Sequence, residues 1–288
     1  MHAAVVTAFD TPPRYQEFPD PVASQPGETV VDVVAAALHR RVRSQADGSH
    51  YTSTDRLPLV PGIDAVVRDT NGRLYYALLG DTNLGTMAER TVTESDRMVA
   101  LPEGIDPIAI AAAMNPVMAS WVALRQRIHF RRGQRVLILG ATGNSGRMAI
   151  RVAKELGASQ AFAAGRNQAK LAALQQLGAD ETLLYDDLRA AADVDVVLDF
   201  VWGSVAAAAM VQLLTARRDR SEKLTWIQIG SMAGLEAPIP SAALRPATDR
   251  GQRGRRGFRP GVQVRTASHR QGRGRWHLRR SSAAGTGE

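Results

Sequence analysis

Residues 136–146, VLILGATGNSG, decide the fold that this sequence predicts. The apolar run VLIL indicates a buried strand, and the segment RMAIRVAKELG that follows indicates an amphipathic helix ending at Gly157. Three glycines at intervals of three residues separate the two elements: Gly140, Gly143 and Gly146. The other residues of this turn are Ala141, Thr142, Asn144 and Ser145. The order strand, glycines, helix suits a turn whose backbone N–H groups bind a pyrophosphate, although glycines also simply end strands.

The second predicted strand, AFAAG, indicates which dinucleotide the turn binds. An NAD site has an acidic residue about 20 residues beyond the glycines, where it binds the ribose hydroxyls. This sequence has Gly165 and Arg166 there instead, and Lys170 follows one helical turn later. Both cations can pair with a 2′-phosphate, so the sequence predicts NADPH as cofactor. The alternative is that Arg166 is a solvated loop cation.

Residues 133–232 alternate apolar strands with helices, which predicts a parallel, doubly wound α/β sheet. Asp199, in VVLDFVWG, ends a buried strand and either faces the cofactor or caps the next helix. Gly230 and Ser231 end the strand KLTWIQIG, at the crevice where a nicotinamide binds in such sheets.

Residues 1 to about 120 have a different pattern, in which Pro and Gly separate short β-rich runs. This pattern predicts a compact, largely antiparallel β domain. The Ala-rich stretch 105–126 predicts helices interrupted at Pro116. The predicted organisation is therefore a β-rich domain over 1–120, a dinucleotide-binding domain over 121–245, and an Arg/Gly-rich irregular tail over 246–288.

The net charge of +8 comes from the tail alone. From Arg245 onward lie 12 of the 36 basic residues but only two of the 28 acidic ones, which leaves the preceding residues at a net charge of −2. A general polyanion-binding surface on the body of the protein is therefore not expected.

The absence of Cys excludes disulfides and thiolate metal sites. With no signal-peptide pattern and no apolar run of about 18 residues, we expect a cytoplasmic protein without a membrane partner.

The order of these parts resembles the medium-chain dehydrogenase/reductase superfamily, and within it the zinc-independent quinone oxidoreductase-like branch. The motifs that carry the resemblance are PGIDAV at 61–66, MAERTV at 87–92, the Ala-rich helix, and GATGNSG at 140–146. The resemblance covers about residues 1–245. It implies a GroES-like domain packed on a Rossmann domain, with a small-molecule substrate in the cleft between them. It also implies hydride transfer from NADPH to a quinone or an α,β-unsaturated carbonyl compound.

Zinc-dependent relatives carry a ligand histidine in a Gly-His-Glu element, which here reads Gly62-Ile63-Asp64. With Ile in the histidine position and no Cys in the chain, the sequence predicts that there is no metal site. Where many relatives have Gln-Gly-x-Thr before the cofactor helix, this chain has Asn115-Pro116-Val117-Met118. Met118 therefore replaces the hydroxyl that usually contacts nicotinamide or substrate.

Without a metal, catalysis rests on hydrogen-bond donors that stabilise the charge growing on the substrate oxygen. The candidate donors are His39, His50 and Tyr51, in the loop where the family places substrate-facing residues. The alternative is that these three side chains have packing or surface roles.

The tail is expected to contain the elements that close both domains of the family, but it consists mainly of Arg, Gly, Ala and Ser. Coding DNA rich in G and C gives these residues when it is read out of frame, and a one-base offset of the codons permits family-like segments. We therefore interpret residues 246–288 as a frameshift product that has lost the closure.

Two alternative functions stay open: a catalytically impaired nucleotide-binding module, and a protein that binds nucleic acid through a genuine basic tail. The second is disfavoured because one Phe and one Trp offer little base stacking. A homodimer is also left open.

Overall fold

The computed structural model describes residues 1–50, 53, 56–80, 82–244 and 263–266. The chain divides into two compact units, the first containing Met1–Ala112 and the second beginning at Ala113. The boundary lies inside the helix Pro107–Val122.

The first unit is an antiparallel β structure with one short helix. Its elements are β1 (His2–Val5), β2 (Arg14–Glu17), β3 (Glu28–Ala36), α1 (Arg40–Ala46), β4 (Asp64–Arg68), β5 (Leu74–Leu78), β6 (Arg90–Glu94), β7 (Met98–Ala100) and the start of α2 (Pro107–Val122). Five strands form one sheet in the order β6-β3-β4-β5-β7, and β1 pairs with β2. All of these pairings are antiparallel. The prediction of an antiparallel β domain is confirmed, because Pro and Gly turn the chain back between short strands.

The second unit alternates strands and helices. After a π-helical turn at Ala123–Arg127, its elements are β8 (Arg135–Leu139), α3 (Asn144–Glu155), β9 (Gln160–Gly165), α4 (Gln168–Ala172), β10 (Glu181–Leu184), β11 (Val196–Asp199), α5 (Gly203–Ala216), β12 (Thr225–Gln228), α6 (Ser241–Leu244) and β13 (Gln263–Thr266). Short 3₁₀ turns lie at Gln175–Leu177 and Arg189–Ala191. The strands form a parallel sheet in the order β10-β9-β8-β11-β12-β13. The strand order reverses direction between β8 and β11, so the predicted doubly wound sheet is confirmed.

Hydrophobic layers cover both faces of this sheet. Side chains of β8 alternate between them, since Val136 and Ile138 join the layer formed by α3, while Leu137 joins the layer formed by α5. Trp226 of β12 is completely buried in the α5 layer. Continuous apolar strands are needed here because a parallel sheet covered by helices has no solvent-facing side.

Helix α2 differs from the sequence prediction. It runs through Pro116 without interruption, although proline removes a backbone donor and crowds the preceding turn. Pro116 is buried, and Val117 and Ala119 pack against the α3 layer, so this burial offsets the local cost.

Contrary to the expectation from the sequence, the helical run Pro107–Arg127 is long and apolar enough to cross a bilayer by length and composition; it is the one such helix among the described residues. Core packing accounts for the apolar side chains of its second half.

Four residues of the tail also differ from the prediction. Gln263–Thr266 form β13, which pairs in parallel with β12 in the register Thr225↔Gln263 to Gln228↔Thr266. The expectation of an irregular tail is therefore wrong for this segment. Its backbone pairs with the strand β12, and this pairing does not require a strongly apolar sequence. The other residues of 246–288, and the question of a lost closure, lie outside the described residues.

Candidate dinucleotide-binding site

The glycine turn, defined here as residues 140–146, connects β8 to α3. Gly140 has a positive φ of 86°, which favours glycine, and a Cβ at this position would lie 3.0 Å from Val201. At Gly146 a Cβ would lie 2.3 Å from the carbonyl oxygen of Gly140 and 2.6 Å from the Cα of Ala141. The first turn of α3 thus packs directly on the end of β8, an approach that only glycine permits.

Helix α3 begins with N–H groups that are free to bind an anion. Gly143 is its N-cap residue and no side chain caps it, while the Arg147 N–H closes the first turn on the Gly143 carbonyl at 2.9 Å. Among the described residues, the N–H groups of residues 144–146 have no side-chain acceptor. Unsatisfied N–H groups and the helix dipole make this end attractive to phosphate. The turn therefore offers donors to an anion, and pyrophosphate binding at these residues stays a prediction.

The end of β9 brings Thr142 close to the second helix. Gly165 is buried, and a Cβ there would lie 3.2 Å from both the Thr142 methyl group and a Leu171 methyl group. Asn167 caps α4 by accepting the Lys170 N–H at 3.0 Å. A small residue at the end of β9 therefore keeps the glycine turn and the start of α4 in contact.

Arg166 and Lys170 are exposed beside this contact. Within the described parts of the chain, neither side chain forms an ion pair. No acidic residue lies between Gly165 and Lys170, so the position of the ribose-binding acid is occupied by cations. This arrangement fits a 2′-phosphate better than a free ribose hydroxyl.

Tyr185 is a residue of this site that the sequence reasoning missed. It directly follows β10 and is half-buried. Burial raises the pKa of its hydroxyl, while a hydrogen bond from the Gly140 backbone and the positive charge of Arg166 oppose the rise. Tyr185 therefore lies near both the glycine turn and the basic pair. Its position directly after the third strand, at the carboxyl edge of the sheet, is a signal from which it could have been found.

Asp199 binds the turn after β11 and does not cap α5, whose N-cap residue Trp202 has no side-chain cap. Its Oδ1 accepts the N–H groups of Val201 and Trp202, both at 2.9 Å, and its Oδ2 accepts the Trp226 indole N–H at 3.0 Å. Burial raises the pKa of Asp199, and these three donors oppose the rise. They also hold Trp202 at a φ of 53°, which is strained for a residue with a side chain.

Gly230 and Ser231 follow β12 at the same edge of the sheet. The Gly230 N–H donates to the Asp199 carbonyl at 3.1 Å, and a Cβ on Gly230 would lie 2.7 Å from the Phe200 carbonyl oxygen. A Cβ on Gly140 would lie 3.2 Å from the Cβ of Phe200. The structure thus brings these two glycines together around the end of β11, and Ser231 beside them is half-buried.

The candidate donors of the first unit have different surroundings. His39 precedes α1 and its Nε2 lies 2.8 Å from Oδ1 of Asp64. The Tyr76 hydroxyl donates to Oδ2 of the same carboxylate at 2.7 Å. We call His39, Asp64 and Tyr76 the Asp64 cluster. The His50 backbone N–H donates to the Ser44 carbonyl at 3.0 Å, and Tyr51 lies outside the described residues.

The Asp64 cluster is built on one face of the five-stranded sheet. Val66 lies opposite Tyr76 in the β4–β5 register, so Asp64, two residues earlier, shares that face with Tyr76. The intervening Ala65 belongs to the apolar cluster on the other face. The Asp64 carbonyl also accepts the Thr86 hydroxyl at 2.9 Å. In the described residues, no group of three or more His, Asp and Glu side chains is arranged to hold a metal ion.

A parallel sheet with a glycine turn at its switch point, joined to an antiparallel β unit, defines a two-unit dinucleotide-binding oxidoreductase class. The chain is 32% identical to the probable NADPH-dependent quinone reductase tdiC of Emericella nidulans, over 81% of this chain and 76% of that protein. It is 28% identical to the chloroplastic NADPH-dependent alkenal/one oxidoreductase of Arabidopsis thaliana, over 55% of this chain and 45% of that one. No protein-family model matches the chain.

Among solved structures, the quinone oxidoreductase of Thermus thermophilus, which was also solved in complex with NADPH, superposes with a TM-score of 0.72. The two chains are 29% identical, and the match covers 84% of this chain and 76% of that one. The protein belongs to the quinone oxidoreductase-like branch of the medium-chain dehydrogenase/reductase superfamily. The predicted family and fold class are therefore confirmed.

Proposed function

We propose that this protein is an NADPH-dependent oxidoreductase that reduces a quinone or an α,β-unsaturated carbonyl compound without zinc. The observation that carries the proposal is the uncapped N-terminus of α3, directly after the glycine turn, beside the exposed cations Arg166 and Lys170. The relatives support it, since two of them are named for NADPH and for quinones or alkenals.

Each part of the site has a separate task toward the cofactor. The N–H groups of residues 144–146 hold the diphosphate, and Arg166 and Lys170 hold the 2′-phosphate, with Tyr185 beside them. The carboxyl ends of β11 and β12, where Gly230 and Ser231 lie, take the nicotinamide end. The bound dinucleotide supplies a hydride to the substrate.

The buried carboxylate of Asp199 serves the site indirectly. It fixes the backbone of residues 200–202 against Gly140 and Gly230, so the two glycines keep their positions. Because both glycines lack a side chain, the chain at residue 200 packs directly against them.

Zinc independence is part of the proposal. It is supported by the absence of Cys and by Ile63, whose apolar side chain stands where zinc-dependent relatives have a ligand. Dialysis of the active protein against a chelator should leave its rate unchanged. Loss of activity that zinc restores would contradict this part.

Steady-state oxidation of NADPH with benzoquinone and with methyl vinyl ketone tests the activity. We expect turnover with at least one acceptor, and a kcat/KM for NADPH at least about tenfold higher than for NADH, the smallest gain expected from a charge-assisted phosphate contact. Absence of turnover, with NADPH binding intact, would instead favour an impaired nucleotide-binding module.

A further inference from the structure

The Asp64 cluster of the first unit holds a histidine ring by one edge only. Asp64 is 1% exposed and Tyr76 is 3% exposed, whereas 15% of the His39 side chain is accessible. Two donors therefore satisfy a buried carboxylate, and one of them reaches the protein surface. Burying a carboxylate at this depth costs several kcal/mol unless it is paired, so these contacts determine the geometry.

The contacts of Asp64 define which nitrogen of His39 carries hydrogen. Burial and the Asp64 charge raise the pKa of Tyr76, which keeps its hydroxyl protonated and donating to Oδ2. The carboxylate accepts at Oδ1 as well, so Nε2 of His39 must carry a hydrogen. Nδ1 has no partner among the described residues. The ring is thus anchored through Nε2, and no side chain of the described residues bonds Nδ1.

We propose that His39 donates a proton from Nδ1 to the oxygen of the substrate, and that Asp64 and Tyr76 are positioning residues for its ring. The inference rests on the proposed function, because the substrate oxygen gains negative charge once a carbon of the enone or quinone has accepted the hydride. The Nδ1–H bond of the imidazolium then breaks and an O–H bond forms on that oxygen. The electron pair of the N–H bond stays on Nδ1, and water restores the proton.

The arrangement suits this role because a carboxylate behind an imidazole fixes the orientation and the tautomer of the ring. Asp64 is the third residue of the Gly62-Ile63-Asp64 element. Gly62 in this element has a φ of 119°, and a Cβ there would lie 2.3 Å from Oγ1 of Thr86, which itself bonds the Asp64 carbonyl. The backbone on both sides of the carboxylate is therefore held in place.

Nitrogen-15 NMR of the cofactor-free protein tests the anchoring independently of activity. At alkaline pH, His39 should show a protonated Nε2 and an unprotonated Nδ1, with its signals identified by their loss in His39→Asn. The Nδ1–H tautomer would overturn the proposal. In Asp64→Asn we expect the Nε2–H preference to weaken, whereas in Tyr76→Phe, which keeps the carboxylate, it should persist.

Kinetics of the full chain test the proton transfer. In His39→Ala, kcat with benzoquinone should fall about 100-fold with little change in KM for either reactant, as expected for loss of a general acid. Added imidazole should restore a substantial part of kcat, which a purely structural role of His39 would not allow. Tyr75→Phe is the matched control, because Tyr75 lies on the same strand and its hydroxyl donates to the half-buried Asp69 instead.

The outcomes separate the two proposals. Wild-type turnover that survives in His39→Ala, or a loss that imidazole does not repair in a folded variant that binds NADPH, would overturn the role of His39 and leave the proposed function intact. No turnover by the wild-type protein with any quinone or enone would overturn both, while the NMR result would still report the anchoring.

Discussion

The glycine turn of the second unit and the Asp64 cluster of the first are built by opposite means. The turn binds with backbone and depends on missing side chains, since a Cβ on Gly146 would lie 2.3 Å from a carbonyl oxygen. The cluster depends on polar side chains that are buried against each other, with both oxygens of Asp64 occupied. A methyl group added at Gly146 would disrupt the glycine turn, whereas loss of a carboxylate oxygen of Asp64 would disrupt the cluster.

The same comparison separates local from long-range structure. Gly140 and Gly146 are six residues apart, whereas His39 and Asp64 are 25 residues apart and meet through the folding of a sheet. Substitutions in the two sites should therefore affect different properties of the protein. Those in the turn should weaken NADPH binding, and those in the cluster should weaken stability and the proton transfer step.

The largest effect on stability is expected from Asp64→Ala. The substitution leaves the Tyr76 hydroxyl and Nε2 of His39 without an acceptor in a buried site, which should lower the free energy of unfolding by about 3 kcal/mol. Urea denaturation followed by circular dichroism measures it. Asp69→Ala is the control, because Asp69 also accepts a tyrosine hydroxyl but is only half-buried. Equal losses of unfolding free energy in both variants would contradict a larger contribution from the buried carboxylate.

Gly146→Ala should have the next largest effect. The added methyl group forces α3 away from β8, at a cost of about 2 kcal/mol, and displaces the N–H groups that hold the diphosphate. We expect a lower melting temperature and a large loss of NADPH affinity. In Gly143→Ala the new Cβ would lie 3.5 Å from the nearest carbonyl oxygen at an ordinary φ of −78°, so its melting temperature should change little. A similar drop in both variants would argue against close packing at Gly146.

Arg166→Asp should invert the cofactor preference. Replacing a cation by an acid removes a phosphate contact and offers a carboxylate to the ribose hydroxyls, so the ratio of NADPH to NADH affinity should fall about 30-fold. Fluorescence titration with both dinucleotides measures this ratio. Arg151→Asp provides an exposed arginine of α3 with the same charge change. If it produces the same shift, the effect belongs to net charge and not to a phosphate site.

The smallest effect is expected from Tyr185→Phe. Loss of one hydroxyl near Gly140 and Arg166 should weaken NADPH binding by about 1 kcal/mol, or roughly fivefold, with little effect on NADH. Calorimetric titration would detect it, with Tyr15→Phe as a control at an exposed position. An equal loss for NADPH and NADH would place Tyr185 away from the 2′-phosphate.

The sequence was sufficient for the features that depend on neighbours in the chain. The glycine turn, the strand-and-helix order and the basic pair after β9 all follow from spacing within about 30 residues. Helix α3 ends where Gly157 takes a positive φ, as the pattern predicts. These elements follow local rules because the backbone conformation itself requires glycine there.

Features that depend on tertiary contacts were not predictable in the same way. The anchoring of His39 by Asp64 requires that residues 39 and 64 meet, and no local pattern encodes this. The continuity of α2 through Pro116 depends on burial that outweighs a local penalty. Asp199 binds two N–H groups of the following turn and the Trp226 indole of a neighbouring strand, and this last contact does not follow from the strand pattern.

The most direct test of the central claim is the affinity of the wild-type protein for NADPH and NADH, measured by titration under one set of conditions. The exposed cations beside the glycine turn predict that NADPH binds at least about tenfold more tightly than NADH. Equal affinities, or tighter binding of NADH, would contradict the assignment of Arg166 and Lys170 to a 2′-phosphate site.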